Sequence, residues 1–427
     1  MSENKKQPLV PRLRFPKFRD AGEWITVELG KLSRLLTERV GSTTCTPYTI
    51  TSGVGLISQV EKLGRTIAGN SLKNYLVLQE NDFAYNKSAT KAYPQGFIAL
   101  YAGDERAAVP NSIFTCFRVN QNQVIPTFLD ALFTNNLHGK WLRTRIAVGA
   151  RAHGSLQVSD DDLMATPVPL PNGINSLEEQ QKIADCLSSL DALVAAETQK
   201  LATLKTYRKG LMQQLFPCEG ETVPRLRFPE FRNSRDWKEK SISDFGEIIT
   251  GSTPSTAHPE FYGGGIPFVS PADISDLRWV SDTKTTLSAL GFEKTRPIKA
   301  NSVLFVCIGS TIGKVTQNVG DCATNQQINS VIPNSEHSGG FVYYTLSLNA
   351  ERIAKLAGIQ AVPIINKTQF SAVRLLIPEL SEQERIANCL SSLDDFIAAQ
   401  SQKVDILMIH KKGLMEQLFP VMSEVGQ

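Results

Sequence analysis

EQQKIADCLSSLD, residues 179–191, returns as EQERIANCLSSLD at residues 382–394, and KGLMQQLFP (209–217) returns as KGLMEQLFP (412–420). Both copies are displaced by 203 positions, so two 39-residue segments align without a gap. Within the first, apolar residues fall at Ile183, Leu187, Leu190, Val194, Leu201, Leu204, Leu211 and Leu215. Steps of four and three alternate, with Glu197 and Arg208 at two interruptions. The second repeats the series as Ile386, Leu390, Leu393, Ile397, Val404, Leu407, Leu414 and Leu418, with Gln400 and Lys411 at the same two places. A heptad seam held over about five heptads predicts one long helix per copy, the two paired as a coiled coil. Matched polar interruptions favour mutual pairing over two separately packed amphipathic helices, because polar seam residues set register. At 1.5 Å per residue such a helix spans about 58 Å, too long for the interior of a compact domain, so it predicts a spacer between domains. Ser176 and Ser381, with Glu179 and Glu384 three residues on, suggest capping boxes. Pro217 and Pro420 end both helices.

Further out, VPRLRFPKFRDAGEW (10–24) returns as VPRLRFPEFRNSRDW (223–237), displaced by 213. A weaker match relates Gly149, Ala152 and Pro169 to Gly358, Ala361 and Pro378. The chain is therefore two copies of one unit. The order of blocks predicts that the end of the second helix lies beside the N-terminal segment, as Pro217 lies near Pro224, so that a circular permutant opened between those prolines keeps its binding activity. Residues 25–148 and 238–357 share little, which suits one kind of task performed on two different targets. Each of these central parts reads as mixed α/β. Strands are expected at 75–78, 82–86, 96–101 and 112–119 with a helix over 127–146, and at 266–270, 302–309 and 327–333 with a helix near 341–357.

The 427 residues carry 45 basic and 42 acidic side chains, a net charge of +3, which excludes a generic polycation. With 41% hydrophobic and 20% charged residues the composition is that of a folded chain. No apolar run approaches the roughly 18 residues of a membrane span, and the start MSENKKQPLV has no signal-peptide core, so a soluble cytoplasmic protein without membrane association is expected. Seven cysteines without a CxxC pair indicate reduced thiols rather than a zinc finger or disulfide framework. GSTIGKV (309–315) has one residue too few, and Val315 in place of Ser or Thr, for a phosphate-binding loop. Neither HExxH nor GxSxG occurs, and five dispersed histidines form no zinc pattern. The chain reads as a binder with no catalytic residues and no metal or cofactor of its own.

Candidate contact residues follow from charge and hydrogen-bonding capacity. Lys140, Arg143, Arg145 and Arg151 cluster between His138 and His153 with no acidic residue among them, as phosphate contact requires; a solvated helix face is the alternative. The polar stretch Tyr85, Asn86, Lys87, Ser88 to Lys91 follows a strand. In the second part, Ser310, Lys314, Asn325, Gln326, Gln327, Gln360 and Lys367 are candidates, since Asn and Gln read adenine bidentately.

DFAYNKSATKAYPQG, IPFVSPADI with SVLFVCIGSTIGK and TNQQIN, and the EQ..IA.CLSSLD and KGLM.QLFP blocks resemble motifs of the specificity subunit of type I restriction-modification systems. The resemblance covers nearly the whole chain and implies an α+β fold with a pseudo-twofold repeat. Its parts are an N-terminal segment (1–24, repeated at 223–237), target-recognition domains over 25–170 and 238–378, and an antiparallel coiled-coil pair over 176–217 and 381–420. It further implies that each domain reads one half of a split, asymmetric double-stranded DNA target while the helices set the gap. Two modification subunits carrying S-adenosylmethionine would methylate adenine, and restriction subunits using ATP and Mg would complete the nuclease; those cofactors belong to the partners. The competing reading is a coiled-coil assembly scaffold whose two domains bind protein.

Overall fold

The structure, a computed structural model, describes residues 9–51, 54–146, 156–358 and 362–421. Two compact units are present: Met1–Ala196 with Asp405–Gln427, and Glu197–Val404. The long helices Ser176–Leu215 and Leu380–Leu418 each contribute a part to both units.

The heptad seam is the inward face of both helices. Ile183, Leu187, Ile386, Leu390, Leu393 and Val404 are buried, and Leu190, Val194, Leu201, Leu204, Ile397 and Leu407 half-buried. The interruptions are paired. In the second unit Gln400 Nε2 donates to Glu197 Oε2 at 2.7 Å and to the Glu197 carbonyl at 2.9 Å, and Arg208 pairs with Asp394. In the first, Lys411 pairs with Asp191, the repeat counterparts of Arg208 and Asp394. Partners descend along one helix as they ascend along the other, so the pair is antiparallel.

The first unit's main sheet has the spatial order Ser33–Leu35, Phe114–Val119, Asp82–Asn86, Phe97–Leu100, antiparallel throughout. The second unit's begins with the same pattern, Gly246–Thr250, Ile328–Pro333, Val303–Val306, Val315–Asn318, and adds Trp279–Val280. A smaller sheet in each joins a parallel pair, Thr46–Thr51 with Ala107–Val109 and Tyr262–Val269 with Ala323–Thr324. Two unlike sequences therefore share the order of four main-sheet strands. Their strands read as continuous apolar runs because both faces are covered: Phe83, Tyr85 and Phe117 pack towards helix Pro126–Thr134, while Ala84 and Cys116 enter a separate core with Leu78 and Val109. Val303 and Phe305 alternate with Leu304 and Val306 in the same way.

The repeated motifs meet at one junction in each unit. Arg14 grips the Glu179 carboxylate at 2.7 and 2.8 Å, and its counterpart Arg227 grips Glu382 at 2.8 and 2.7 Å, all four side chains buried. Gln180 Oε1 accepts from Ile125 N at the start of helix Pro126–Thr134, and Gln383 Oε1 accepts from Ser338 N at the start of helix Gly339–Leu348. Trp24 packs against Phe128 and Phe419, Trp237 against Phe341 and Phe216. Leu13 N donates to Gln417 O, and Leu226 N to Gln214 O, both at 2.9 Å. The N-terminal segment thus lies on the end of the second long helix, as the block order implies.

Several expectations need correction. Neither capping box forms: Glu179 is drawn off by Arg14, Ser176 Oγ donates to Pro171 O, and Ser381 lies inside its helix. The helix expected over 127–146 is two, Pro126–Thr134 and Leu137–Leu142, because Asn136 adopts φ 60°, a left-handed conformation that asparagine tolerates. The helix near 341–357 likewise breaks at Asn349. Finally, Ile25 pairs with Leu170 and Lys238 with Ile377, so Pro378 corresponds to Pro171 rather than Pro169. Gly149, Ala152 and Ala361 of that weak match lie outside the described residues.

Candidate nucleic-acid interface

In the second unit the turn entering strand Ile328–Pro333 is built almost wholly from its own amides. Asn325 Oδ1 accepts from Gln327 N (3.1 Å), Asn325 Nδ2 donates to Gln327 Oε1 (3.0 Å), and Gln327 Nε2 donates to Ile308 O (3.3 Å). Asn325 N donates to Val269 O at 3.1 Å. Asn325 and Gln327 are thereby turned into the fold, and Gln326 between them is left exposed. Neighbouring backbone converges here: Cys307 N donates to Gln327 O, Gly309 N to Pro363 O and Ile365 N to Cys307 O. Exposed Ser310 and Lys367 stand on these segments. Lys314 donates to Ile274 O at 2.8 Å and Pro271 O at 3.4 Å, which ties down its ammonium. Burial pushes the Cys307 thiol up to about 12, so it is no nucleophile at neutral pH.

The first unit holds the same corner in different residues. Lys87 N donates to Ile113 O and Leu156 N to Lys87 O, matching the bonds around Cys307. Lys87 Nζ lies 3.4 Å from Asp160 Oδ1, which also accepts from Thr115 Oγ1 at 2.8 Å. Asn86 is half-buried and its Oδ1 accepts from Ser88 N. Lys91, Lys140 and Arg143 are exposed. The Arg145 guanidinium lies 3.2 Å over the Trp141 ring and donates to Trp141 O, while the Trp141 indole donates to Asp162 O. The indole bond ties helix Leu137–Leu142 to the short helix Asp160–Met164, whose Asp160 faces Lys87. Arg151 and Gln360 lie outside the described residues.

Tyr85 is a correction. It is fully buried, its hydroxyl donates to Gln95 O at 2.7 Å, and it belongs to the core rather than to an exposed loop. Its neighbour His138 is also buried, Nε2 against Gly96 O, and burial lowers it to about 4, leaving a neutral ring that braces the 87–96 loop. Sequence reasoning missed three exposed residues. Asn111 and Ser112 stand where Asn325 and Gln326 stand in the other unit, and Thr253 donates to Gln326 Oε1 at 2.8 Å. The first two are legible only once strand 114–119 is matched to strand 328–333. Among the described residues no group of three His, Cys, Asp or Glu is placed to hold a metal ion, and no helix is long and apolar enough to cross a membrane.

One repeated framework thus carries two corners lined by dissimilar polar residues. The chain belongs to the type I restriction modification DNA specificity domain family, whose model matches residues 68–206 and 234–406. It is 31% identical over 234 residues to the type I restriction enzyme HindI specificity subunit of Haemophilus influenzae, covering 52% of this chain and 49% of that protein. The match thus spans about half the length of that relative. It is 23% identical to the putative type I restriction enzyme MjaX specificity subunit of Methanocaldococcus jannaschii, covering 76% of this chain and 74% of that one. Specificity subunits of type I systems are non-catalytic. The fold is shared with the type I restriction-modification system S subunit from M. genitalium (TM-score 0.61, 13% identity, 97% and 100% of the two chains). A chain from a study of assembly and conformational transition of the type I R-M system also shares it (TM-score 0.54, 21% identity, 93% and 97%).

Proposed function

We propose that each unit reads one half of a split, asymmetric double-stranded DNA target, and that the paired helices set the unspecific gap between the halves. The single observation that carries this reading is the pair of sheets sharing one four-strand order whose corners bear unlike polar residues: Asn86, Lys87, Asn111 and Ser112 in one, Ser310, Gln326 and Lys367 in the other. A constant frame with variable hydrogen-bonding side chains is what two different base sequences require, since base-edge contacts specify and phosphate contacts position. Lys91, Lys140 and Arg143 supply the latter on the first unit. In this reading two modification subunits, bringing S-adenosylmethionine, bind the repeated framework and methylate adenine, and restriction subunits using ATP and Mg complete a nuclease in the cytoplasm.

Selection from random duplexes with the chain and its modification partner tests the proposal. A two-part consensus is expected. Salt-sensitive binding without sequence preference would instead support a scaffold whose domains bind protein.

A further inference from the structure

The geometry points to Thr253 as a positioning residue that sets the Gln326 carboxamide to read one adenine in the half-site taken by the second unit. This rests on the DNA-reading function proposed above. Strand Gly246–Thr250 runs straight into a segment, 251–253, that lies backbone to backbone on the Gln326 turn. Gly251 N donates to Ile328 O at 3.0 Å and Ser252 N to Thr324 O at 2.9 Å. A Cβ at Gly251 would collide with the carbonyls of Asn325 and Thr324, so only glycine allows this approach. Segment and turn are therefore held together as one element, and its exposed polar side chains are Thr253 and Gln326.

On that element the Thr253 hydroxyl donates to Gln326 Oε1 at 2.8 Å. A carboxamide oxygen has two lone pairs, and the nitrogen two protons. With one lone pair on Thr253 the amide plane is fixed, and one acceptor site and two N–H groups remain. Adenine offers the complement in the major groove, an N7 acceptor beside an N6 donor, whereas guanine offers acceptors alone. Asn325 and Gln327, whose amides bond within the turn and to Ile308 O, hold the element in place. Fixing the side chain before binding removes the rotamer entropy that an unrestrained glutamine loses on contact.

The test uses the full chain assembled with its modification subunits, a random duplex pool and S-adenosylmethionine, followed by sequencing of methylated products. Wild type is expected to give an A·T pair at one position of one half-site. Q326A should lose roughly 5- to 150-fold of the discrimination there, the worth of one bidentate contact, and leave the other half unchanged. T253V and T253A should relax the same position about fivefold or more, and T253S should retain it. A wild-type consensus unchanged by both T253V and T253A overturns the positioning role. Relaxation by Q326A of a position occupied by G·C overturns the adenine assignment. Absence of any wild-type consensus refutes the DNA-reading proposal itself.

Discussion

Removing Arg227 tests whether the repeated motifs exist to make one buried junction. Its side chain is 7% exposed and that of Glu382 2% exposed, and two charge-assisted bonds join them. Arg227 also donates to the carbonyls of Ser234 and Arg235 at 2.9 Å, so it ties the segment after PRLRFP to the head of the long helix. R227M leaves the Glu382 carboxylate buried without a partner, a loss of about 3–5 kcal/mol for a broken buried pair. For a unit of roughly 200 residues that corresponds to a melting-point drop of about 6–20 °C. E382M should cost a similar amount, but the double variant R227M/E382M should recover most of it, because two apolar side chains of matching length need no partner. Thermal unfolding followed by calorimetry on the four proteins closes the cycle. A single variant within about 1 kcal/mol of wild type, or a double variant whose loss equals the sum of the singles, refutes the junction as described.

Three further outcomes follow from named contacts. Q180A and Q383A each strip a bond from the backbone N–H of a domain helix's N-cap residue, Ile125 and Ser338, and should cost about 1–3 kcal/mol apiece, nearly equally, by denaturant titration. Burial raises the Asp130 carboxyl to about 6 from its ordinary 3.8, so between those pH values the folded chain holds a proton the unfolded chain has lost, and stability falls as pH rises. D130N should therefore match wild type below pH 4 and exceed it by up to about 3 kcal/mol above pH 6, read from melting across a pH series. Inserting one heptad into both long helices adds about 10.5 Å, close to 3 base pairs, and should widen the recognised gap by that number; an unchanged gap sinks the ruler reading.

Much of this architecture was open to inspection in the sequence. The seam was legible because burial imposes a heptad on Ile183, Leu187 and Leu190 whatever the partner. Repetition of PRLRFP and EQ marked the framework. What repetition could not say is why the blocks recur, since Arg14 and Glu179 meet only in three dimensions, and a Ser-x-x-Glu spacing imitates a cap that the salt bridge pre-empts. The common topology was hidden because strands covered on both faces accept many apolar residues, so Phe83-Ala84-Tyr85 and Val303-Leu304-Phe305 share a role without sharing letters. The same double coverage made Tyr85 look like the start of a polar loop when it is the last buried rung of a strand. Thr253 carries no signal of its own; only the register of Gly251 against Ile328 brings it to Gln326.

The central claim is that two equal frames read two unequal half-sites. Genome-wide mapping of adenine methylation in cells carrying the intact system, repeated with residues 238–378 replaced by the corresponding domain of another specificity subunit, measures it directly. The account predicts a motif in two parts separated by unspecified bases, of which the exchange alters one part and preserves the other. A single contiguous motif, or an exchange that rewrites both parts, would contradict it.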